Sequence, residues 1–151
     1  MEMYRQLLIA AALLLSSAAV VRGDWSTCGA PDGSTQSFEI AGCQAPARCV
    51  LKKGTEAKVS ILFSSKVASK GVKVKAFGVI HEVPIPFPLP QKDACQCGVT
   101  CPIQENGNYT YHSSFPIKAE YPSLSLDVKW ELIDDDGKNL VCQLVPVEIT
   151  S

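Results

Sequence analysis

The chain has 151 residues, of which 46% are hydrophobic, and its 14 basic and 15 acidic residues give a net charge of −1. This balance lacks the basic excess of nucleic-acid-binding domains, so we expect no nucleic-acid partner. The length suits one domain that is large enough to bury a core of its own.

An export signal occupies the first residues. In "MEMYRQLLIAAALLLSSAAVVRG" a polar start with Arg5 precedes an apolar run from Leu7 to Leu15, and small residues follow. This order predicts a secretory signal peptide over residues 1–23 and a mature domain over residues 24–151. No later window approaches the about 18 apolar residues of a membrane span. We therefore predict a secreted, extracellular protein, with the endosome–lysosome lumen as the alternative destination.

Seven cysteines follow the signal, and an exported chain matures where disulfides persist. Parity gives three bridges and one leftover thiol, and roughly 100 connectivities are open to seven cysteines. Short spacings favour two loop-closing bridges and a third that joins the chain ends, namely Cys43–Cys49, Cys95–Cys101 and Cys28–Cys142. In that arrangement Cys97 has no partner.

Apolar residues recur with period two, which is typical of strands with one buried face. The clearest case is "LSLDVKWEL", whose apolar face comprises Leu124, Leu126, Val128, Trp130 and Leu132. Similar alternation predicts strands through Val59–Phe63, Val72–Ala76 and Phe115–Tyr121. Turn signals such as "KKGT", "ENGN" and "DDDGKN" separate these runs. The pattern predicts an all-β fold of two antiparallel sheets packed face to face.

The segment "VPIPFPLP", Val83 to Pro90, is called the proline ribbon below. Proline cannot donate to a strand ladder, so this segment is predicted to lie at a sheet edge. In an extended segment, alternate side chains point to the same side. The side predicted to face the interior carries Val83, Ile85, Phe87 and Leu89. The ribbon is then either a stiff edge that blocks aggregation or the mouth of a pocket.

The sequence offers little for catalysis or metal binding. It has two histidines, His81 and His112, and neither a G-x-S-x-G nor an H-E-x-x-H motif. A zinc site at "CQCGVTC" is disfavoured because an oxidising route converts thiols to disulfides. We therefore predict no enzyme, no metal and no cofactor, and a hydrolase that uses either histidine is the least favoured alternative.

Two surface features accompany the strands. Lysines crowd one segment, namely Lys52, Lys53, Lys58, Lys66, Lys70, Lys73 and Lys75. They are either ordinary solvated strand faces or a surface that approaches anionic lipid headgroups. Asn108 begins an N-x-T sequon beside a turn, which predicts a glycan there.

Several motifs in one order resemble the ML (MD-two-related lipid-recognition) family, in particular its soluble sterol carriers. They are "VPIPFPLP", "CGVTCPIQ", "FPIKAEYPSLSLDVKWELIDDDGKNLVC" and "PVEI", and the resemblance runs from Cys28 to Ile149. It implies an immunoglobulin-like β-sandwich with a lipid held between the sheets, and it supports the three bridges favoured above.

The resemblance also implies a ligand site. In those carriers a phenylalanine of the ribbon, an aliphatic residue after "FP" and a tyrosine before "PS" line the tunnel, and they fall on Phe87, Ile117 and Tyr121. Trp130 matches a tryptophan of the same core. The strand faces and the ribbon complete the predicted ligand-binding set with Val83, Ile85, Leu89, Phe63 and Val128.

The resulting functional prediction is a monomeric lipid-transfer protein. It holds a cholesterol-like sterol, or another lipid such as a fatty acid, and passes it to a membrane or to a membrane sterol transporter. The alternative is an innate-immune or chemosensory recognition module for microbial glycolipid or semiochemicals. Because an empty cavity of about 300 Å³ would cost roughly 7 kcal/mol, we expect the unliganded slot to be partly collapsed.

Overall fold

The structure is a computed structural model that describes residues 25–151. The predicted signal peptide lies outside these residues and stays a prediction. Within them the chain forms nine strands and one 3₁₀ turn, Ala94–Gln96. The strands are β1 (Ser26–Thr27), β2 (Gly33–Ile40), β3 (Cys49–Lys52), β4 (Glu56–Ser65), β5 (Lys73–Ile80), β6 (Val83–Pro86), β7 (Asn108–Pro116), β8 (Ser125–Ile133) and β9 (Asn139–Thr150).

The strands form two sheets. One has the order β1-β9-β8-β5-β6, with β3 also paired to β9, and the other has the order β2-β4-β7. Pairing is antiparallel except between β3 and β9, which run parallel. The predicted two-sheet sandwich is confirmed. Over residues 25–151, nothing helical reaches the length and apolarity that a membrane crossing requires.

The core lies between the sheets and follows the predicted alternation. On β4 the side chains of Val59, Ile61 and Phe63 are at most 1% exposed, while the intervening residues reach solvent. On β8 Trp130 is 1% exposed and Leu132 is fully buried. Because successive side chains of a strand point to opposite faces, one apolar face of each strand supplies this core.

The disulfides are those predicted: Cys28–Cys142, Cys43–Cys49 and Cys95–Cys101. Cys97 is the free cysteine of the described chain. Cys43 follows β2 of the three-stranded sheet, and Cys49 begins β3 of the six-stranded sheet. This bridge therefore joins the two sheets at the edge that carries β3.

The strand predicted over Phe115–Tyr121 is too long. Its first part is the end of β7, which stops at Pro116 because its partner β4 begins at Glu56, the residue paired with Pro116. One more hydrogen bond follows, from Ile117 N–H to Thr55 O, and the chain then turns, with Tyr121 N–H donating to Lys118 O.

The proline ribbon begins as β6, an edge strand as predicted. A two-residue turn of His81 and Glu82 joins it to β5, with φ of 49° and 67°. Positive φ at both central residues matches the twist of a tight β-hairpin. Regular pairing ends at Pro86, so the second half of the ribbon leaves the ladder.

Candidate functional site

Five aromatic side chains form a continuous row of ring contacts, called the aromatic row below. In order of contact they are Tyr121, Phe87, Phe115, Trp130 and Tyr111. Successive ring centroids are 5.4, 5.4, 5.5 and 6.2 Å apart. Burial increases along the row, since Tyr121 and Phe87 are half-buried while Trp130 is 1% and Tyr111 0% exposed. We call Tyr121 its outer end and Tyr111 its inner end.

Both sheets contribute to the row. Phe115 and Tyr111 lie on the inner face of β7 in the three-stranded sheet, and Trp130 lies on β8 in the other sheet. Phe87 is held beside β5 by one backbone hydrogen bond, from its N–H to Ala76 O at 2.8 Å. The row therefore extends from the ribbon edge into the space between the sheets.

A surface groove of about 340 Å³ opens where the ribbon leaves the ladder. Its walls are the first part of β5, Pro86, Phe87, Leu89 and Lys92. Two backbone hydrogen bonds flank the groove along the edge of β5. Phe87 N–H donates to Ala76 O, and Val74 N–H donates to Lys92 O. Phe87 thus borders the groove and also belongs to the aromatic row.

The interior between the sheets is occupied by side chains, because the members of the row contact one another. The expectation of a partly collapsed slot in the unliganded protein stays a prediction. A larger depression of about 610 Å³ lies beside Trp25 and Phe38 and includes Lys58 and Glu39 in its lining. None of the row's residues lines it, and its exposed lining is more polar than apolar, whereas the lining of the groove is mainly apolar.

The predicted site residues divide by burial. Four are buried, namely Phe63, Leu89, Ile117 and Trp130. Three are half-buried, namely Phe87, Tyr121 and Val128. Phe63 packs on Tyr109, with ring centroids 5.8 Å apart.

The prediction that the whole ribbon faces the interior is wrong for its first two apolar residues. Val83 is 58% and Ile85 is 48% exposed. They lie on β6, the outermost strand of the larger sheet, and the opposing sheet has three strands that do not cover it. All four residues of β6 are exposed, and the ribbon becomes buried only from Phe87 onward.

Sequence reasoning missed Phe115 and Tyr111 as members of the site. The signal was present, because Tyr109, Tyr111, Ser113 and Phe115 alternate along "NYTYHSSFP" and share the inner face of β7. The polar residues among them obscured the pattern.

The inner end of the row carries buried polar atoms. The hydroxyl of Tyr111 and the indole N–H of Trp130 are buried and have no hydrogen-bond partner within the described residues. Burial raises the pKa of Tyr111 to about 12, and weak hydrogen bonds with the Ser113 and Trp130 side chains, too long or too bent to count as full partners, lower it. At the outer end, burial and the neighbouring Glu120 raise the pKa of Tyr121.

Lysines border the groove. Lys73, Lys75 and Lys92 line it, and the first two belong to the predicted basic segment. Lys129 lies nearby on β8, where it pairs with Glu131 at 3.1 Å and stands 5.6 Å from the Phe77 ring centroid. The groove is therefore apolar at its base and positively charged at its rim.

The histidines lie away from the row. His81 is exposed in the β5–β6 turn, and His112 Nδ1 lies 3.0 Å from Ser60 Oγ on the outer face of the three-stranded sheet. Within residues 25–151 no carboxylate hydrogen-bonds to this imidazole. Over the same residues, no cluster of three or more His, Cys, Asp or Glu side chains could hold a metal ion.

Comparisons with known proteins identify relatives of this chain. Residues 23–149 match the ML domain family. The NPC intracellular cholesterol transporter 2 of Danio rerio is 42% identical over 82% of this chain and 83% of its own, and that of Canis lupus familiaris is 36% identical over 95% and 98%. The crystal structure of a Niemann-Pick type C2 protein from the Japanese carpenter ant superposes with a TM-score of 0.80 and 31% identity, over 83% of this chain and 98% of that one.

Proposed function

Because the chain belongs to the ML-domain family, we propose that it binds a sterol or a similarly apolar lipid between its two sheets and transfers it to membranes. The observation that carries this proposal is the aromatic row, which leads from an apolar groove at the ribbon into the interior. The names of the relatives, which are cholesterol transporters, support a sterol as the ligand class.

The lipid enters past Phe87. Phe87 borders the groove and its ring contacts Phe115 and Tyr121, so its displacement connects the groove with the row. Burying about 500 Å² of apolar ligand surface contributes on the order of 12 kcal/mol before association entropy is subtracted. Apolar contact is then sufficient for micromolar to nanomolar affinity without an ion pair to the ligand.

Transfer follows from contact with a membrane surface. Val83 and Ile85 project from the edge strand close to the groove, and Lys73, Lys75 and Lys92 border it. Exposed apolar side chains next to cations suit the interface of an anionic bilayer, where each lysine contributes on the order of 1 kcal/mol. In this orientation the groove opens toward the membrane, and the lipid moves without crossing bulk water.

We infer that the protein acts by binding rather than by catalysis, as a monomer and without a cofactor. The Ser60–His112 pair faces solvent on the outer side of the smaller sheet, and the row contains no nucleophile beside a base. Three disulfides suit an oxidising compartment, the exterior or the endosome–lysosome lumen. Asn108 is exposed at the start of β7, which supports its use as a glycosylation site.

The test is direct binding by the secreted, disulfide-bonded chain. We expect saturable one-to-one binding of cholesterol, competition by other apolar lipids, and a monomer before and after loading. Mass spectrometry of lipids that co-purify with the native protein identifies the ligand. Failure to bind either cholesterol or fatty acid would refute the proposal, and dimerisation triggered by microbial glycolipid would favour the recognition module instead.

A further inference from the structure

Two aspartate side chains meet between the two sheets. Asp32 precedes β2 of the three-stranded sheet, and its backbone N–H donates to Asn139 O, at the start of β9 in the other sheet, at 3.1 Å. Asp134 opens the turn between β8 and β9, where its own N–H donates to Lys138 O at 3.0 Å. The two carboxyl groups lie within hydrogen-bonding reach of each other. They therefore form a contact between segments of different sheets.

The two carboxyl oxygens of Asp134 have different surroundings. The residue is 4% exposed. Its Oδ1 accepts the backbone N–H groups of Asp136 at 2.9 Å and of Lys138 at 3.0 Å, which closes the turn. Its Oδ2 is also buried, and no N–H group or hydroxyl of the described residues donates to it. A buried carboxylate oxygen without a donor is strongly unfavourable.

Asp32 can supply the missing donor when its carboxyl carries a proton. An ionised carboxylate only accepts hydrogen bonds, whereas a carboxylic acid has one O–H to donate. Two ionised carboxylates at this separation repel each other, so retention of one proton by the pair is favoured. The hydrogen bond with Asp134, partial burial and the negative charge of Asp134 all raise the pKa of Asp32 from its ordinary value of 3.8.

The other charged groups around Asp32 leave this preference in place. On the β8–β9 turn, Asp136 raises the pKa of Asp32 and Lys138 lowers it. The carboxylate of Asp135 is engaged elsewhere, because its Oδ2 accepts two backbone N–H groups of the loop after β4, at 3.0 and 3.3 Å. From the same loop, Lys66 donates its backbone N–H to Asp32 O at 2.8 Å. On balance these surroundings favour the protonated form of Asp32.

We propose that Asp32 and Asp134 share one proton and form a pH-sensitive link between the two sheets, in which the Asp32 carboxyl donates to Asp134 Oδ2. The folded chain holds this proton more tightly than the unfolded chain. The stabilisation is therefore complete below the ordinary pKa of 3.8 and is lost as pH rises through the higher pKa of the folded state. The link does not depend on lipid binding, and it joins the sheets more firmly in an acidic compartment than at neutral pH.

Thermal unfolding at several pH values, for the unmodified protein and for Asp32→Asn, tests the link. The asparagine amide has a permanent N–H donor for Asp134 Oδ2 and carries no charge. We therefore expect the two proteins to melt within about 1 °C of each other at about pH 4, and the variant to melt about 2–4 °C higher at about pH 7. The same difference in melting temperature at both pH values would overturn the proposal.

The matched control is Asp136→Asn, which removes one negative charge from the same turn and leaves the pair in place. Asp136 is exposed, and its hydrogen bond to Asp134 is made by its backbone N–H. This variant should keep the pH dependence of the unmodified protein. A gain at neutral pH equal to that of Asp32→Asn would assign the effect to net charge and refute the shared proton.

Carbon NMR of the Asp32 carboxyl detects the proton directly and requires no variant. Its titration midpoint should lie above 3.8 in the folded protein and should return to the ordinary value in the chain unfolded by urea. A folded-state midpoint at or below the ordinary value would overturn the proposal.

Calcium chloride distinguishes a shared proton from a bound cation. Calcium takes about 6–8 oxygen ligands, more than two carboxyl groups supply, so we expect its addition at neutral pH to leave the melting temperature unchanged. If calcium stabilises the unmodified protein and fails to stabilise Asp32→Asn, the pair holds a cation, and the shared proton is refuted.

Discussion

The two ends of the aromatic row use the same kind of ring contact in different settings. At the inner end, Trp130 and Tyr111 are fully enclosed and lie on regular strands. At the outer end, Phe87 and Tyr121 are half-buried and lie on irregular segments, each tied by a backbone hydrogen bond. Under the proposed function, this difference predicts that the inner contacts hold the sheets together and that the outer contacts yield to an incoming lipid.

The largest effect should come from removing the enclosed indole. Trp130→Ala leaves a cavity between the sheets, so we expect the free energy of unfolding to fall by about 3–5 kcal/mol. Urea denaturation followed by circular dichroism measures it. Val50→Ala is the control, because Val50 is 58% exposed and its truncation should change stability by less than about 0.5 kcal/mol. A loss as small as the control's would remove the distinction between the two ends.

Alkaline pH tests whether the phenol at the inner end is buried, without truncating a side chain and creating a cavity. Burial favours the neutral phenol and raises the pKa of Tyr111 to about 12, above the ordinary value of about 10. The stabilisation is complete below pH 10 and is lost as pH rises toward 12, by about 2–3 kcal/mol. Denaturation at several pH values should show this loss in the unmodified protein and a smaller one in Tyr111→Phe. Equal slopes in the two proteins would contradict the burial of this phenol.

Truncation at the outer end should affect binding more than folding. Phe87→Ala removes the ring between groove and row, and we expect sterol affinity to fall about 10-fold, equivalent to about 1.4 kcal/mol. Phe38→Ala is the matched control, since Phe38 is also half-buried but packs on Trp25, with centroids 6.3 Å apart, outside the row. Titration with a labelled sterol measures both. Equal affinity in the two variants would count against access past Phe87.

The smallest effect concerns the exposed part of the ribbon. The double change Val83→Ala and Ile85→Ala should leave equilibrium binding intact and slow sterol transfer to anionic vesicles about threefold, because fewer apolar atoms reach the bilayer interface. Val50→Ala again provides the control, with the same exposed fraction as Val83 on a different strand. An undiminished transfer rate in the double variant would place the membrane contact elsewhere on the surface.

Local sequence patterns were sufficient to predict much of the fold. Alternation identified the buried faces of β4 and β8, including Phe63 and Trp130, because a half-buried strand imposes a period of two on its own residues. The prolines of the ribbon predicted an edge strand for the equally local reason that they cannot donate to a ladder. The spacing of the cysteines and the family resemblance agreed on the disulfides.

What the patterns missed depends on partners that are distant in sequence. The exposure of Val83 and Ile85 is set by how far the opposing sheet extends, and the end of β7 is set by where β4 begins. The parallel pairing of β3 with β9 joins segments almost 100 residues apart, as Cys49 pairs with Val147. The aromatic row joins rings from β7, β8, the ribbon and a turn, so its continuity emerges only in three dimensions.

The disulfide between Cys43 and Cys49 links the two sheets covalently at one margin of the sandwich. It lies on the β3 side of the larger sheet, whereas β6 and the groove lie at the opposite margin. Separation of the two sheets is therefore most restricted beside this bridge. An entry past Phe87, as proposed, lies at the margin that this covalent link does not restrain.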